Sequence, residues 1–267
     1  MTAYSPIQLH QRSAGFASAS FGVRNGCPKL MDLRQQGSAK AIVLDQREVV
    51  FLNTSGGLTG GDMLEYRLTL APEAEITATT QTAERIYRST TGAAQISVKF
   101  SVGKGAHLDW IPQETIVFER AQARRRTEII LGEGATCLMA ETIVLGRAAM
   151  GEMVSTLDFH DWRMIRRGAE PVHLEALRLD AERLMAGAAG LDGARAIATI
   201  VLIAPGASDV LESVRAALGS EIRAAASALD GRLVIRLMAR DGWPLRRKLA
   251  QILTLLRRAP LPRVWQI

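Results

Sequence analysis

The feature that most restricts the fold is that part of the chain repeats itself. Gly105-Ala106-His107-Leu108 followed by Glu114-Thr115-Ile116-Val117 is echoed by Gly134-Ala135-Thr136-Cys137-Leu138 followed by Glu141-Thr142-Ile143-Val144. The Glu-Thr-Ile-Val copies lie 27 residues apart and the Gly-Ala copies 29, and Ala74-Glu75-Ile76-Thr77 is a partial third copy. Units of this length, each too small to bury its own apolar face, are what stacked β rungs give. Two similar hairpins in a sandwich fit the same pattern, and the sequence leaves both open.

From Ala41 to Val144 the chain reads as short strands separated by Gly-centred turns, among them Ala41–Leu44, Glu65–Leu70 and Ile96–Phe100, the last alternating apolar and polar residues. Helical spacing is confined to the C-terminal part. Pro244 opens a segment whose Leu245, Leu249, Ile252, Leu253 and Leu256 make one stripe, with Arg246, Arg247, Lys248, Arg257 and Arg258 outside it. A shorter helix follows Ser208-Asp209, which read as an N-cap signal, with Leu211, Val214 and Leu218 on one side. Arg232–Met238 reads as a strand, and the Gly- and Ala-rich stretch Ala181–Ala194 as a loop. The expected fold is mainly β, with stacked short strands of β-helix or solenoid character and about two helices near the C-terminus, in a single domain over residues 1–267.

No run of 18 or more apolar residues occurs, and Met1–Arg12 lacks the basic start and apolar middle of a signal peptide, so a soluble, cytoplasmic protein without a membrane partner is expected. Cys27 and Cys137 stand apart and outside any CxxC pattern, which points to neither a disulfide framework nor a zinc site. The net charge of +6 gathers at Arg124-Arg125-Arg126, Arg166-Arg167, Arg246-Arg247-Lys248 and Arg257-Arg258. With 5% aromatics and none interleaved with these clusters, stacking platforms for nucleic acid are scarce.

The Gly-rich run Asn53–Asp62 lacks the Lys-Ser/Thr of a P-loop and is followed by a strand rather than a helix, so it reads as tight turns with Asp62 bonding local amides. Thr77–Arg88 is a Thr-rich strand candidate, fit for a hydroxyl ladder on solvent or the lining of a wet internal passage. His10, His107, His160 and His173 form no close ligand pair, and a hydrolase reading would need His107 or His160 to meet a nucleophile and a carboxylate in one pocket. Asp62, Glu84, Glu114, Glu141 and Glu175, if they converge, would make a weak oxygen site for a divalent ion in transit.

Three blocks in order, Asn53–Asp62, Thr79–Arg88 and Trp110–Phe118, resemble the signature of the UreD (UreH) family of urease accessory proteins. Gly146–Glu152 and Leu261–Trp265 are similar to two further stretches of that family, so the resemblance runs from about residue 15 to the end. Ser55 stands where many members carry a smaller residue such as Ala. The motif residues so marked are Asn53, Gly56, Gly57, Thr59, Gly60, Gly61, Asp62, Gln81, Glu84, Tyr87 and Arg88. The resemblance implies a mainly β, non-enzymatic scaffold. Such a scaffold binds apo-urease and, with a UreF homologue and the GTPase UreG, supports nickel delivery to the carbamylated-lysine site. It also implies nickel as a transient passenger rather than a tightly bound cofactor, with Asp62, Glu84 and Glu175 as passage residues. The alternatives are a basic nucleic-acid-binding protein and an uncharacterised hydrolase. A scaffold needs a docking surface, expected on the C-terminal helix and the tail Pro260–Ile267, where Trp265 either anchors a partner or packs on the chain's own core.

Overall fold

The computed structural model describes residues 12–266, so His10 and nearly all of Met1–Arg12 lie outside the described residues. β1 (Ala14–Arg24) and β2 (Cys27–Gly37) pair antiparallel, as do β3 (Ala39–Val43) and β4 (Glu48–Asn53). The chain then winds through β5 (Met63–Leu70), β6 (Glu75–Thr80) and β7 (Glu84–Ile86), through β8 (Ala94–Val102), β9 (His107–Trp110) and β10 (Thr115–Val117), and through β11 (Gln122–Leu131) and β12 (Thr136–Leu145). β13 (Asp158–Arg167) begins a further coil, from which β14 (Glu170–Asp180) turns back antiparallel. After α1 (Ala181–Leu184) come β15 (Ala196–Ile203), α2 (Leu211–Leu218), β16 (Arg223–Leu229), β17 (Arg232–Ala239) and α3 (Gly242–Leu256). Successive coils stack in parallel, β1, β5, β8, β11 and β13 in one sheet and β4, β6, β9 and β12 in the other, giving a flattened β-solenoid of about four turns. Solenoid and sandwich were therefore not exclusive, because the coils flatten into two facing sheets.

The repeat works as stacked corners. Between β5 and β6, β8 and β9, and β11 and β12 the chain turns through Ala71–Ala74, Gly103–Ala106 and Gly132–Ala135. Each corner has a residue at positive φ, Glu73 (63°), Gly105 (65°) and Gly134 (65°). Left-handed backbone favours glycine, which the second and third corners supply. Glu73 N–H donates to Lys104 O and Gly105 N–H to Glu133 O, both 2.9 Å, while Ala74, Ala106 and Ala135 are fully buried at the bend. The partial third copy is thus a true rung.

The Glu-Thr-Ile-Val match, however, does not stack as aligned. Thr136 pairs with His107, in step with the Gly-Ala match, but Thr115 pairs with Ile143 instead of Thr142, so there the ladder is one residue out of step with the sequence match. The irregular stretch 111–114 between β9 and β10, where β12 runs on unbroken, accounts for the slip. A one-residue slip reverses the face. Glu141 points into the core while Glu114 lies in the outer wall against Arg246.

Two apolar cores share the ten-stranded sheet. Between the sheets pack Phe51, Tyr66, Phe100 and Trp110, with ring centroids 4.9 Å apart for Phe51–Tyr66 and for Phe100–Trp110. On the sheet's other face lie α2, α3 and the tail, through Val214, Leu245, Leu249, Ile252, Leu253 and Trp265. α3 starts at Gly242 rather than Pro244, because Asp241 caps it by accepting from Trp243 N–H at 3.1 Å and Pro244 needs no partner in the first turn. Lys248, read as outside the stripe, is buried, its ammonium donating to Ala217 O (2.9 Å) and Gln251 Oε1 (3.0 Å). Ser208-Asp209 is not the cap of α2. The chain makes turns through Asp209, Leu211 N–H bonds Ser208 O, and Val210 occupies the N-cap without a side-chain bond. Ala181–Ala194 holds α1 and a 3-10 turn at Gly187–Ala189.

Candidate functional site

The three blocks singled out in the sequence come together at one corner of the solenoid. Leu58 N–H donates to Arg85 O and Tyr87 N–H to Leu58 O, both 2.7 Å, so the Gly-rich run is laced to β7, and β7 pairs in turn with β10. Gly57, at φ 142°, lies so close to β7 that a Cβ there would meet the Tyr87 ring at 2.5 Å and Arg85 O at 2.8 Å. Asn53 Oδ1 accepts from Ser55 N–H at 3.0 Å, closing the start of the run. Asp62 is buried at its end, accepting from Ser13 N–H and Thr59 N–H at 2.8 Å each, and Thr59 Oγ1 donates to Arg88 O at 2.9 Å. Tyr87 packs on Phe118 with centroids 5.0 Å apart. The Thr-rich candidate is split in two by Gln81–Ala83. Its hydroxyls form no ladder on solvent: Thr79 is fully buried and donates to Ile111 O, and Thr80 lines an internal cavity.

That cavity, about 40 Å³, lies between the sheets and is lined by Asn53, Tyr66, Thr80, Gln81, Glu84 and Arg125 among others, room enough for water. Asn53 Nδ2 donates to Glu84 at 3.3 Å. Burial pushes the Glu84 carboxyl up to about 7, against the hydrogen bonds from Arg85 N–H and Asn53 and the Arg85 charge, which favour the ionised form. Burial also drives the Tyr66 hydroxyl well above its ordinary range, with the Glu84 charge adding to it.

From the cavity a line of charged side chains runs between the sheets. Arg125 holds Asp161 with both Nε (2.9 Å) and Nη2 (2.5 Å), and its Nη1 reaches Thr115 (2.9 Å) and Glu141 (2.8 Å). Trp110 Nε1 donates to Glu141 at 2.9 Å. Asp161 also accepts from Arg163, Arg163 Nη1 donates to Glu175 at 3.0 Å, and Arg236 Nη2 reaches Glu175 from the other sheet at 3.1 Å. Against the cost of burial, the charges and hydrogen bonds of Arg125 and Arg163 hold the Asp161 carboxyl below the usual range. Burial lowers the His173 imidazole to about 4; Glu175 opposes that shift, and Arg232, Arg236 and Arg163 add to it.

Of the three carboxylates named for passage, Glu84 and Glu175 thus stand toward opposite ends of one buried polar line, whereas Asp62 belongs to the loop. Glu141 lies on the line and Glu114 does not. Arg125, Asp161 and Arg163 were missed, although the alternation Phe159, Asp161, Arg163, Ile165 on β13, with charges at inward positions, was there to be read. Among the described residues no three His, Cys, Asp or Glu side chains stand close enough to hold a metal ion.

His107 has a hydroxyl, Thr136 Oγ1 at 2.7 Å, and a carboxylate, Asp109 at 3.0 Å, on its two nitrogens. The backbone N–H groups of His107 and Thr136 are spent on Ala74 O and Ala106 O, so they are not free to stabilise an oxyanion. His160 stands 3.0 Å from Asp158 on the outer face of β13. Trp265 is buried, donating to Ile111 O at 2.9 Å, so it packs on the chain's own core. No helix among the described residues is long and apolar enough to cross a membrane.

Residues 13–266 match the family described as UreD urease accessory protein. The urease accessory protein UreD of Cereibacter sphaeroides is 54% identical over 268 residues, covering 98% of each chain. That of Paracoccus denitrificans is 48% identical, covering 99% of this chain and 96% of its own. That of Mesorhizobium japonicum is 38% identical, covering 100% and 98%. With a match over nearly its whole length and relatives at this identity, the chain belongs to the UreD family of urease accessory proteins.

Proposed function

We propose that the chain is a non-enzymatic cytoplasmic scaffold that binds apo-urease and, together with UreF and UreG homologues, supports the insertion of nickel into the urease active site, with nickel as cargo. The buried polar line from Glu84 to Glu175 is the observation that carries this reading. Carboxylate oxygens suit weak, exchangeable contact with a divalent ion better than a tight structural site. Asp161, Glu141 and Glu175 already face guanidinium groups, so a passing dication has to compete with Arg125 and Arg163 for them, which keeps its contacts weak and transient. Asp62, spent on Ser13 and Thr59 amides, serves by holding the Gly-rich loop in place.

Two measurements test the proposal. The tagged chain, co-expressed with apo-urease subunits and a UreF homologue, is expected to retain them through a moderate-salt wash; clean absence of both from a folded chain overturns the scaffold reading. The double substitution Glu84→Gln with Glu175→Gln is expected to keep those partners and lose urease activation. Full activation by that variant overturns the passage.

A further inference from the structure

A second cavity, larger than the internal one, lies apart from it. It is an open groove of about 670 Å³ on the outer face, where the ends of β7, β10 and β12 meet the first turn of α3. Its floor is apolar, formed by Ile116, Val144 and Leu249, and Trp243 stands at its edge, 54% exposed. Five arginines line it, Arg85, Arg147, Arg195, Arg240 and Arg246, against the two carboxylates of Glu114 and Asp241. Arg246 is engaged by Glu114 and Arg147 by Glu152, whereas Arg85 and Arg240 are exposed and make no ion pair among the described residues.

A second observation is independent of charge. Gln113 and Thr142, both in the groove wall and more than nine-tenths buried, each keep one polar atom without a partner in the protein, Nε2 and Oγ1 respectively. An unmet buried donor is costly, so an acceptor from water or from an occupant is favoured at this wall. Gln113 Oε1 is already used by Arg246, which leaves its amide N–H₂ as the free donor. Apolar floor, exposed indole, unpaired guanidinium groups and a spare amide together call for an occupant that is anionic, rich in carbonyl or carboxylate oxygens, and carries an apolar side chain.

We infer that the groove is a docking site for an acidic segment of a partner protein in the urease-maturation assembly, seated by an apolar side chain against Trp243 and by its carboxylates on Arg85 and Arg240. A second copy of this chain fits poorly, since a chain of net charge +6 would bring a basic surface to a basic groove. Gln81 and Thr82 line both this groove and the internal cavity, so a segment bound here rests on the wall behind Glu84. The inference rests on the scaffold reading and adds the surface and chemistry of one contact.

The test uses the full chain and an array of overlapping peptides tiling the urease subunits and the companion accessory proteins. Acidic peptides with an aromatic or aliphatic residue should be retained, more weakly as salt rises. Their affinity should fall about tenfold or more both in Arg85→Glu with Arg240→Glu and in Trp243→Ala, with circular dichroism unchanged. Retention of neutral or basic peptides only, displacement of every peptide by inorganic phosphate, or no change in either variant overturns the site. The same variants are then taken through the co-purification. If they hold the partners as tightly as the unaltered chain, the groove is wrong while the scaffold stands; if the unaltered chain holds none, the scaffold reading itself has failed.

Discussion

Glu84 shows how one buried group can both mark a site and weaken the fold. An unfolded chain releases the Glu84 proton at the ordinary value of 4.5, whereas the folded chain keeps it to about 7. Between those limits the native state binds more protons than the unfolded state. The stability Glu84 contributes is fully present below pH 4.5 and is lost as pH rises through about 7. At about 1.4 kcal/mol for each pH unit between those two values, the loss is on the order of 3 kcal/mol. Glu84→Gln keeps the size and a hydrogen-bonding side chain but cannot ionise, so it should flatten that part of the profile. Urea midpoints measured from pH 5 to pH 8 should drop less in the variant than in the parent, and parallel profiles would show that Glu84 ionises freely. The sequence displayed Glu84 and Glu175 as isolated acids, and the chemistry lay in their neighbours. Arg125 appeared within the cluster Arg124-Arg125-Arg126, where three adjacent charges look solvated. A strand sends alternate residues to opposite faces, and of the three only Arg125 points inward to Asp161.

Among elements, the corners were the most legible and the ladder beyond them the least. Gly-Ala recurs because a left-handed bend followed by a residue small enough for the inside of the corner admits few other pairs, and the partial copy at Ala74 obeys the same steric rule with Glu73 in the bend. The Glu-Thr-Ile-Val match misled because sequence alignment permits a length change that hydrogen bonding then absorbs in 111–114, turning Glu114 and Glu141 to opposite sides. The bend at Ser208-Asp209 was likewise invisible, since a capping residue type also serves in turns. Close stacking makes the corners intolerant of added atoms. A Cβ on Gly103 would come within 2.6 Å of Pro72 N and 2.7 Å of Ala71 C and Leu70 O, all backbone of the rung beneath. Gly103→Ala should therefore cost about 1–3 kcal/mol as the rungs part, although alanine is the smallest possible change. By contrast, Gly168→Ala, at the open β13–β14 hairpin with nothing within 4 Å of its Cβ, carries only the strain of its positive φ. Denaturation of the two variants side by side separates stacking from backbone conformation, and equal losses would remove the stacking argument.

At the scale of the molecule, the expectation of one domain turns on how the helical layer is joined to the solenoid. The ten-stranded sheet serves both cores, and the join is drawn most closely at Trp110 and Ile111: Trp110 enters the core between the sheets, while Ile111 enters the helix-covered core, and Trp265 donates to its carbonyl. Arg246 on α3 reaches Gln113 and Glu114 in the same segment. A helix layer so connected cannot leave without exposing the outer face of β9, β12 and β15, so loosening it should loosen the solenoid. Leu249 on α3 is buried far from the solenoid interior, and Leu249→Ala should destabilise the protein by about 2–5 kcal/mol. The decisive reading is which signals move. Tryptophan fluorescence, reporting Trp110 within the solenoid as well as Trp265 beside α3, and far-UV circular dichroism, dominated by the strands, should shift to one lower midpoint and remain superimposable. A variant in which fluorescence moves early while the β signal keeps the parent midpoint would mean that the helices are a separable cover over an independently stable solenoid. The groove at the start of α3 would then open without disturbing the polar line beneath, and a partner seated there would have no mechanical hold on the interior.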